Sequence, residues 1–260
     1  LVSEDRHQWR QVEHVPTRST LTGVAAVGDQ VWAVGHDGVI LHSADGGLAW
    51  VRQRVTPFDA DSTDTHNGVP LLDVLFLDER NGFAIGAYAL LLRTSDGGTT
   101  WTEVPMSASS GSEMDANAGA DPDAAADGEA ADGEAADDSW TMSADETEIE
   151  DEADPHLHAI ARTGDGSLFI VGERGAAFRS TDSGESWQRL SLPYDGSMFG
   201  VIGYDGRHVL AFGLRGNVFE SFDLGEHWHK VASGAELSLM GGTGWENGGA
   251  ALVGANGVVL

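Results

Sequence analysis

Short apolar runs alternate with glycine-rich polar turns along the chain, which is the pattern of β-strands rather than of helices. Each run is rich in Val, Ile, Leu or Phe and is too short for an amphipathic helix. The pattern therefore predicts an all-β protein. The runs that predict strands are Val31–Val34, Val39–Leu41, Leu71–Leu77, Phe83–Ile85, Leu90–Leu92, Leu157–Ala161, Leu168–Val171, Met198–Ile202, Val209–Phe212 and Val218–Phe219.

One motif, Ser/Thr-x-Asp-x-Gly-x-x-Trp, recurs four times in the same place relative to these runs. A fixed recurrence of this kind indicates a repeat architecture. A turn residue also stands seven positions before each Asp, at Gly38, Ala89, Gly175 and Gly216. The marked residues of the motif are Ser43, Asp45, Gly47 and Trp50, then Thr94, Asp96, Gly98 and Trp101, then Ser180, Asp182, Gly184 and Trp187, and then Ser221, Asp223, Gly225 and Trp228.

Each repeat is predicted to contain four strands, A to D, with the glycine turn between B and C and the Asp motif between C and D. Residues 254–260 resemble a turn followed by a C strand, whereas residues 8–12 resemble the D strands that begin at Trp101 and Trp228. Strands A to C from the C-terminus and strand D from the N-terminus would close a ring that leaves no free edge. We expect one β-propeller domain over residues 1–260 with four-stranded antiparallel blades. Five blades are accounted for, and a ring of seven would fit if the sequence is a fragment.

An acidic, low-complexity insert interrupts the repeats at residues 107–155. It contains 17 of the 42 Asp and Glu residues and no Lys or Arg, so the rest of the chain carries a net charge of -11, against -28 for the whole. Such a segment buries too little apolar surface to offset its chain entropy, and we expect it to be disordered. A smaller insert near residues 57–69 contains Asp59, Asp61 and Asp64. We interpret it as a solvated loop, because it lacks the glycine and the downstream Glu of an EF-type calcium loop.

Charge and composition exclude several classes of function. A chain this acidic repels nucleic acid and anionic lipid surfaces. The absence of cysteine excludes disulfides, thiolate catalysis and cysteine zinc sites. No run approaches the roughly 20 apolar residues that cross a bilayer, so no direct membrane insertion is expected. We expect no cofactor and no metal, and interpret His156 and His158 as a paired surface or core feature because no third zinc ligand accompanies them.

The four motifs resemble the Asp-box, or BNR, repeat. With the preceding glycines and the apolar C strand, they resemble the photosystem II stability and assembly-factor family of propellers and its bacterial relatives. The resemblance implies a non-enzymatic binding or scaffold propeller, exported to the periplasm or cell envelope, that is accessory to a membrane-protein complex. A resistance-nodulation-division transporter is one associate that the bacterial relatives suggest. The boxes are then expected to be structural, with Asp and Ser or Thr clamping a turn and Trp packing between blades.

A carbohydrate-active or glycan-binding propeller is the alternative, since Asp boxes also occur in sialidases and xyloglucanases. A sialidase needs an Arg-Ile-Pro segment, which this sequence lacks. A glycosidase needs two carboxylates about 5–10 Å apart across a cleft, and the sequence singles out no pair. Aromatic platforms for a sugar would come from outside the boxes, from Trp32, Trp140 or Trp245, which are more simply interpreted as core or insert residues.

The third residue of the B–C turn changes chemistry from blade to blade. In a four-stranded blade the B–C turns and the D–A connections lie on one face, and the A–B and C–D loops lie on the other. Both inserts therefore share a face with these turns. We interpret Tyr88, Arg174, Arg215 and Asn256 as a candidate protein-docking face, because Arg is a favoured interface anchor. Ordinary exposed turn residues, or a structural module of a larger assembly, are the other interpretations.

Overall fold

Eighteen strands, arranged in successive blades, make up the regular structure of the part of the chain that is described. The computed structural model describes residues 2–3, 7–61, 66–106, 154–245 and 248–260. The strands are β1 (Leu21–Val27), β2 (Gln30–Gly35), β3 (Ile40–Ser43) and β4 (Val51–Arg54) in blade 1; β5 (Leu71–Phe76), β6 (Gly82–Gly86), β7 (Leu91–Thr94) and β8 (Thr102–Glu103) in blade 2; β9 (Leu157–Arg162), β10 (Leu168–Gly172), β11 (Ala177–Ser180) and β12 (Gln188–Arg189) in blade 3; β13 (Met198–Gly203), β14 (Val209–Gly213), β15 (Val218–Ser221) and β16 (His229–Lys230) in blade 4; and β17 (Leu239–Gly244) and β18 (Ala250–Gly254) in blade 5.

The strands of each blade pair in chain order as an antiparallel meander. Four sheets have four strands each, and the fifth sheet has two. The A strands of consecutive blades pack side by side, from β1 on β5 through to β13 on β17. Within the described ranges, helical structure is confined to short 3-10 turns, and none is long and apolar enough to cross a bilayer. The all-β propeller architecture predicted from the repeat is confirmed.

Apolar layers between consecutive blades form the core. Between blades 1 and 2, Trp32 is fully buried and stacks on Phe76, with ring centroids 3.5 Å apart and an interplanar angle of 9°. Between blades 2 and 3, Trp187 meets Phe83 edge to face at 6.1 Å. Burying side chains of this size stabilises the fold by roughly 2–3 kcal/mol each, so blade-to-blade packing supplies most of the cohesion. The tryptophan of a box belongs to the layer that faces the preceding blade.

The predicted C strand of blade 5 is present as a short extension of its sheet. Leu260 and Leu252 exchange two backbone hydrogen bonds of 2.9 and 3.1 Å. Val259 correspondingly forms an antiparallel bridge with Val253. The last three residues therefore lie beside β18, in the place that strand C holds in the other blades.

The N-terminal residues lie against blade 1. Val15 packs on Leu41 of β3. A residue that follows the D strand of a preceding blade would contact blade 1 at this place. Arg10 forms its antiparallel bridge with Val2. Closure of the ring by a D strand around Trp9 therefore stays a prediction.

Polar side chains join neighbouring A strands across the layers. The hydroxyl of Thr22 in β1 donates to the carbonyl of Leu71 in β5 at 2.7 Å. In the same way, Nδ1 of His158 in β9 lies 2.9 Å from the carbonyl oxygen of Met198 in β13. Both side chains stand at a bulge at the start of their strand. The bulge thus turns a side chain towards a backbone group of the next blade.

Asp73 joins blades 2 and 3 through its carboxylate. Its Oδ2 accepts a hydrogen bond from the amide of Ile160 at 3.0 Å, and its Oδ1 accepts one from the amide of Val74 at 2.8 Å. Burial raises the pKa of Asp73 to about 6, because desolvation outweighs the two amide hydrogen bonds that favour the charged form. The inner part of the molecule therefore contains an acid that ionises with difficulty.

The Asp boxes close the C–D turns with their own side chains. In blade 3, the Ser180 hydroxyl donates to Asp182 at 2.7 Å and accepts from the amide of Gly184 at 2.8 Å. Asp182 also accepts the amide and the hydroxyl of Ser186, at 3.0 and 2.6 Å. The other three boxes repeat the bond from the hydroxyl to the Asp carboxylate and the bonds from two backbone amides, one to the hydroxyl and one to the carboxylate, at 2.7–2.9 Å. Their residues are Ser43, Asp45, Gly47 and Ala49 in blade 1, Thr94, Asp96, Gly98 and Thr100 in blade 2, and Ser221, Asp223, Gly225 and His227 in blade 4.

Hydrogen bonds to the charged form lower the pKa of all four box carboxylates. The hydroxyl and amide of Ser186 lower the pKa of Asp182 to about 2, and those of Thr100 lower the pKa of Asp96 to about 2. The pKa values of the other two are shifted in the same direction, chiefly by a backbone amide. Each box carboxylate is thus ionised at neutral pH and engaged by the turn around it.

The box turns also receive side chains from the preceding blade. Arg179 of β11 donates to the carbonyl of Leu224 in the blade 4 box at 2.8 Å. Arg93 of β7 pairs with Glu185 in the blade 3 box at 2.6 Å. The Arg179 side chain is only 10% exposed, whereas Glu185 is mostly exposed and contributes less, because solvent screens its charge.

The B–C turns share one strained backbone geometry. Their third residue has a φ between 52° and 58°, and the residue after it also has a positive φ, as in a type I′ turn. A side chain in this region costs roughly 1–2 kcal/mol. In blade 4, a Cβ at the following Gly216 would lie 2.1 Å from the carbonyl oxygen of Ala235, so that position requires glycine. The third residues are Asp37, Tyr88, Arg174, Arg215 and Asn256.

Two substitutions in the blade 4 turn should act in opposite directions. Gly216→Ala is expected to destabilise the fold by more than about 1 kcal/mol, because alanine meets both the positive φ and the carbonyl of Ala235. Arg215→Gly is expected to be neutral or stabilising by up to about 1 kcal/mol, since glycine relieves the strain. Urea unfolding of both variants measures the difference. Equal destabilisation would contradict the turn geometry.

The box carboxylates predict a loss of stability in acid. Their pKa values are lower in the folded chain than in the unfolded chain, so their contribution is complete above about pH 4 and disappears as the pH falls towards about 2. Asp182→Asn should lower the melting temperature by a few degrees at pH 7 and by less at pH 2. Asp195→Asn, at an exposed acid outside the boxes, is the control. A difference in melting temperature between Asp182→Asn and wild type that is the same at pH 7 and pH 2 would contradict stabilisation of the turn by the ionised carboxylate.

Asp73 predicts the opposite trend in a different pH range. Its pKa is raised in the folded chain, so stability is greatest below about pH 4 and falls as the pH rises through about 6. Partial exposure screens the charge, and the loss is expected to be on the order of 2 kcal/mol. Asp73→Asn should remove this dependence. Denaturant unfolding at several pH values tests this, and a stability difference between variant and wild type that stays constant from pH 4 to 7 would contradict it.

Candidate functional site

The B–C turns and the D–A connections lie on one face of the blades, as the strand order predicts. The amide of Thr56, after β4, donates to the carbonyl of Asp37 in the blade 1 turn at 2.7 Å. The amide of Gly175 in the blade 3 turn donates to the carbonyl of Gly196, before β13, at 3.1 Å. These bonds fix the turns on the connections beneath them, so their side chains keep a constant position from blade to blade.

Four turn residues are exposed on this face, and we refer to Tyr88, Arg174, Arg215 and Asn256 as the docking face. Tyr88 is 48% exposed, which is high for a tyrosine. The fifth turn residue, Asp37, differs, because its carboxylate accepts the hydroxyl of Ser19 at 2.7 Å and is partly covered. The docking face therefore runs from blade 2 to blade 5.

A polar and aromatic cluster surrounds Tyr88. Its carbonyl oxygen lies 3.2 Å from Nε2 of His66, whose Nδ1 lies 3.3 Å from a carboxylate oxygen of Glu103. The Tyr88 ring meets the His156 ring edge to face, with centroids 5.0 Å apart. The sequence did not single out His66 or Glu103, because His66 lies in the D–A connection before blade 2 and Glu103 lies in its D strand, β8, and only the fold brings them together.

Glu173 brings the two predicted histidines together. Its Oε1 lies 3.5 Å from Nδ1 of His156 and 3.9 Å from Nε2 of His158. Its other oxygen accepts the amide of His156 at 3.2 Å. In the ranges that the structure describes, no group of three or more His, Asp or Glu side chains is arranged to hold a metal ion. The trio acts as a polar brace beneath the docking face.

A cleft of about 520 Å³ opens beside Arg215. It has a second cation, Lys230, and aromatic walls made by Tyr194, Phe219 and Trp228. Lys230 is the only lysine of the chain, and the sequence did not single it out as a site residue. Two cations beside aromatic rings can hold a carboxylate or an aromatic side chain of a partner protein.

The remaining candidates from the sequence lie elsewhere. In the smaller insert, Asp59 accepts the amide of Asp61 at 3.0 Å, a bond of the loop with itself, and Asp64 lies outside the described residues. Of the aromatic candidates, Trp32 is fully buried in the core, whereas Trp245 is 51% exposed. Trp140 and residues 107–153 of the acidic insert lie outside the described residues.

Comparison with known proteins relates the repeat to two assembly factors. No protein-family profile matches the chain. A stretch of 87 residues is 32% identical to the photosystem II stability/assembly factor HCF136 of Arabidopsis thaliana and covers 32% of this chain and 20% of that protein. A stretch of 32 residues is 53% identical to the photosystem II assembly lipoprotein Ycf48 of Prochlorococcus marinus and covers 12% of this chain and 9% of that protein. The matched stretches thus span a fifth or less of these relatives.

The fold is found among solved structures. A structure described as Ycf48 bound to D1 peptide superimposes with a TM-score of 0.58 over 94% of this chain and 66% of that one, at 19% sequence identity. At that identity the likeness concerns the fold alone. The chain is therefore homologous to the photosystem II assembly factors in its repeat and shares the β-propeller fold of Ycf48, as its four Asp boxes predicted.

Proposed function

We propose that the chain is a non-enzymatic docking propeller of the assembly-factor type, which holds a segment of a membrane-protein complex on its docking face. The observation that carries the proposal is the exposure of Tyr88, Arg174 and Arg215 at equivalent turn positions with a positive φ. Tyr and Arg are uncommon in this conformation, which Gly, Asn and Asp adopt at lower cost. Strain of this kind is retained where a surface makes contacts.

Charge supports a protein partner over a polyanion. The docking face and its cleft place three cationic side chains, Arg174, Arg215 and Lys230, on a chain with a net charge of -28. The long-range field repels nucleic acid, whereas at short range these cations and the ring of Tyr88 can bind a carboxylate or an aromatic side chain. A peptide of mixed composition fits both conditions.

The relatives support this partner class and an exported location. The Ycf48 structure is described as holding a D1 peptide, which is a precedent for peptide docking on this fold. The Prochlorococcus relative is named a lipoprotein and the Arabidopsis relative is named chloroplastic, and by analogy we place this chain in the periplasm or cell envelope. Their names give no support to a resistance-nodulation-division transporter as the partner.

The chemistry of the boxes supports a role without catalysis. General acid or base catalysis works best with a group whose pKa lies near the working pH. The box carboxylates have lowered pKa values and are held in turn hydrogen bonds. They are therefore poor candidates for the paired acid and base of a glycosidase.

The test compares two pairs of arginine substitutions. Arg174→Gly combined with Arg215→Gly removes two docking side chains and leaves turns that glycine accommodates. Arg80→Gln combined with Arg207→Gln changes the net charge equally, in exposed A–B loops on the opposite face. We expect capture of membrane proteins from detergent-solubilised membranes of the source organism, measured by quantitative mass spectrometry, to fall at least about tenfold in the first pair only.

A defined probe accompanies the extract. Fluorescence anisotropy with a labelled D1 peptide should show saturable binding to wild type and to the Arg80 and Arg207 control. Capture and peptide binding that are unchanged by the two glycine substitutions would refute docking at this face. Hydrolysis of a glycan panel, abolished by one Asp→Asn substitution, would refute the non-enzymatic assignment.

A further inference from the structure

A second cleft, of about 430 Å³, opens on the face opposite the docking face. It lies where the A strands of blades 3, 4 and 5 end, and its walls include Arg162, Tyr204, Asp205 and Trp245. This is the face of the box turns, because the box and the A–B loop of a blade are joined there, as by the bond from the amide of Leu224 to the carbonyl of Arg207. No part of the docking face lines it.

Polar groups without a protein partner surround this cleft. Among the described residues, the Arg162 guanidinium, the Asp205 carboxylate and the Tyr204 hydroxyl form no hydrogen bond with another protein group. The guanidinium offers only hydrogen-bond donors, the carboxylate offers only acceptors, and the hydroxyl offers both. The cleft therefore combines donors and acceptors with one positive and one negative charge.

Two aromatic rings complete the walls. Trp245 is 51% exposed, although an indole of this size is mostly buried in folded proteins. Tyr204 is fixed by stacking on His208 at 4.3 Å, which in turn stacks on Phe222 at 4.4 Å. Tyr204 is buried and forms a fixed wall, whereas the exposed Trp245 ring is a surface on which a flat apolar face can pack.

The space between these walls depends on glycine. A Cβ at Gly244 would lie 2.9 Å from the Tyr204 ring, so a side chain there would crowd the aromatic wall. Gly164 and Gly203 also line the cleft. Its floor is thus bare backbone, and its volume lies within the range of small-ligand sites.

We propose that this cleft binds a neutral saccharide. Trp245 provides the platform for the apolar face of a sugar ring, and Arg162 and Asp205 hydrogen bond to its hydroxyls. A sugar hydroxyl both donates and accepts hydrogen bonds, so it can pair with the donors of Arg162 and with the acceptors of Asp205. Phosphorylated or sulfated ligands are disfavoured, because the cleft has one cation beside one anion and the chain is strongly acidic.

The proposal is for binding and not for hydrolysis. Glycoside hydrolysis requires two carboxylic acids that flank the scissile bond. Of the described residues that line the cleft, Asp205 is the sole acid. No second carboxylate is found among these described residues, so we propose the saccharide as a bound ligand and not as a substrate.

Titration of the full chain with cellohexaose and with maltoheptaose, followed by tryptophan fluorescence and saturation-transfer NMR, tests the site. We expect at least one of the two oligosaccharides to bind saturably below about 10 mM. Trp245→Ala should weaken that binding at least about tenfold, and Arg162→Gln should weaken it severalfold. Trp9→Ala, at a tryptophan that is 61% exposed and outside the cleft, is the matched control and should bind as wild type does.

Three results would overturn the proposal. They are no saturable binding of either oligosaccharide, equal affinity in Trp245→Ala and wild type, and displacement of the sugar by inorganic phosphate. Because Trp245 is exposed, its variant should retain the wild-type melting temperature. The Arg174→Gly and Arg215→Gly variant should bind the sugar normally, so this test is independent of docking.

Discussion

The hydrogen-bonded Asp box is the interaction on which the rest of the structure depends. Within one turn, a hydroxyl, a carboxylate and two amides satisfy each other, so the C–D turn needs no outside partner. That turn then sets the box tryptophan into the apolar layer and offers a carbonyl to the arginine of the previous blade. The turn that each repeat forms on its own thus also positions the contacts with the next repeat. The stability of the propeller is therefore approximately the sum of the stabilities of single blades and of the interfaces between neighbouring blades.

This use of carboxylates also separates the two faces of the molecule. On the box face, the acids of the repeat are held in turns, and the cleft at Trp245 opens on the same face. On the opposite face, the B–C turns rest on the D–A connections and present side chains that differ in size and charge. Rigid geometry with variable side chains is what a binding surface on a scaffold requires.

The sequence was sufficient to predict the structural features that recur in every repeat. Strands, blades and box turns recur in one frame, so each copy supports the interpretation of the others, and the sharing of a face by Arg174 and Arg215 follows from strand order alone. Contacts between blades were beyond prediction, because their partners are distant in sequence and do not recur at a fixed spacing. The bond from Ile160 to Asp73, the pair of His66 with Glu103, and the exposure of Trp245 are of this kind. The N-terminal match to a D strand predicted pairing with the C-terminal A to C strands, and that closure stays a prediction.

The paired positive φ angles of the B–C turns have a consequence for how such propellers diversify. The turn backbone is held by the residue after it and by hydrogen bonds to the connections below it, so different side chains at its third position meet the same backbone strain and can replace one another. A single codon change there alters what the rim presents while every strand stays in register. The same set of blades can therefore acquire new binding partners through single substitutions, without loss of the fold.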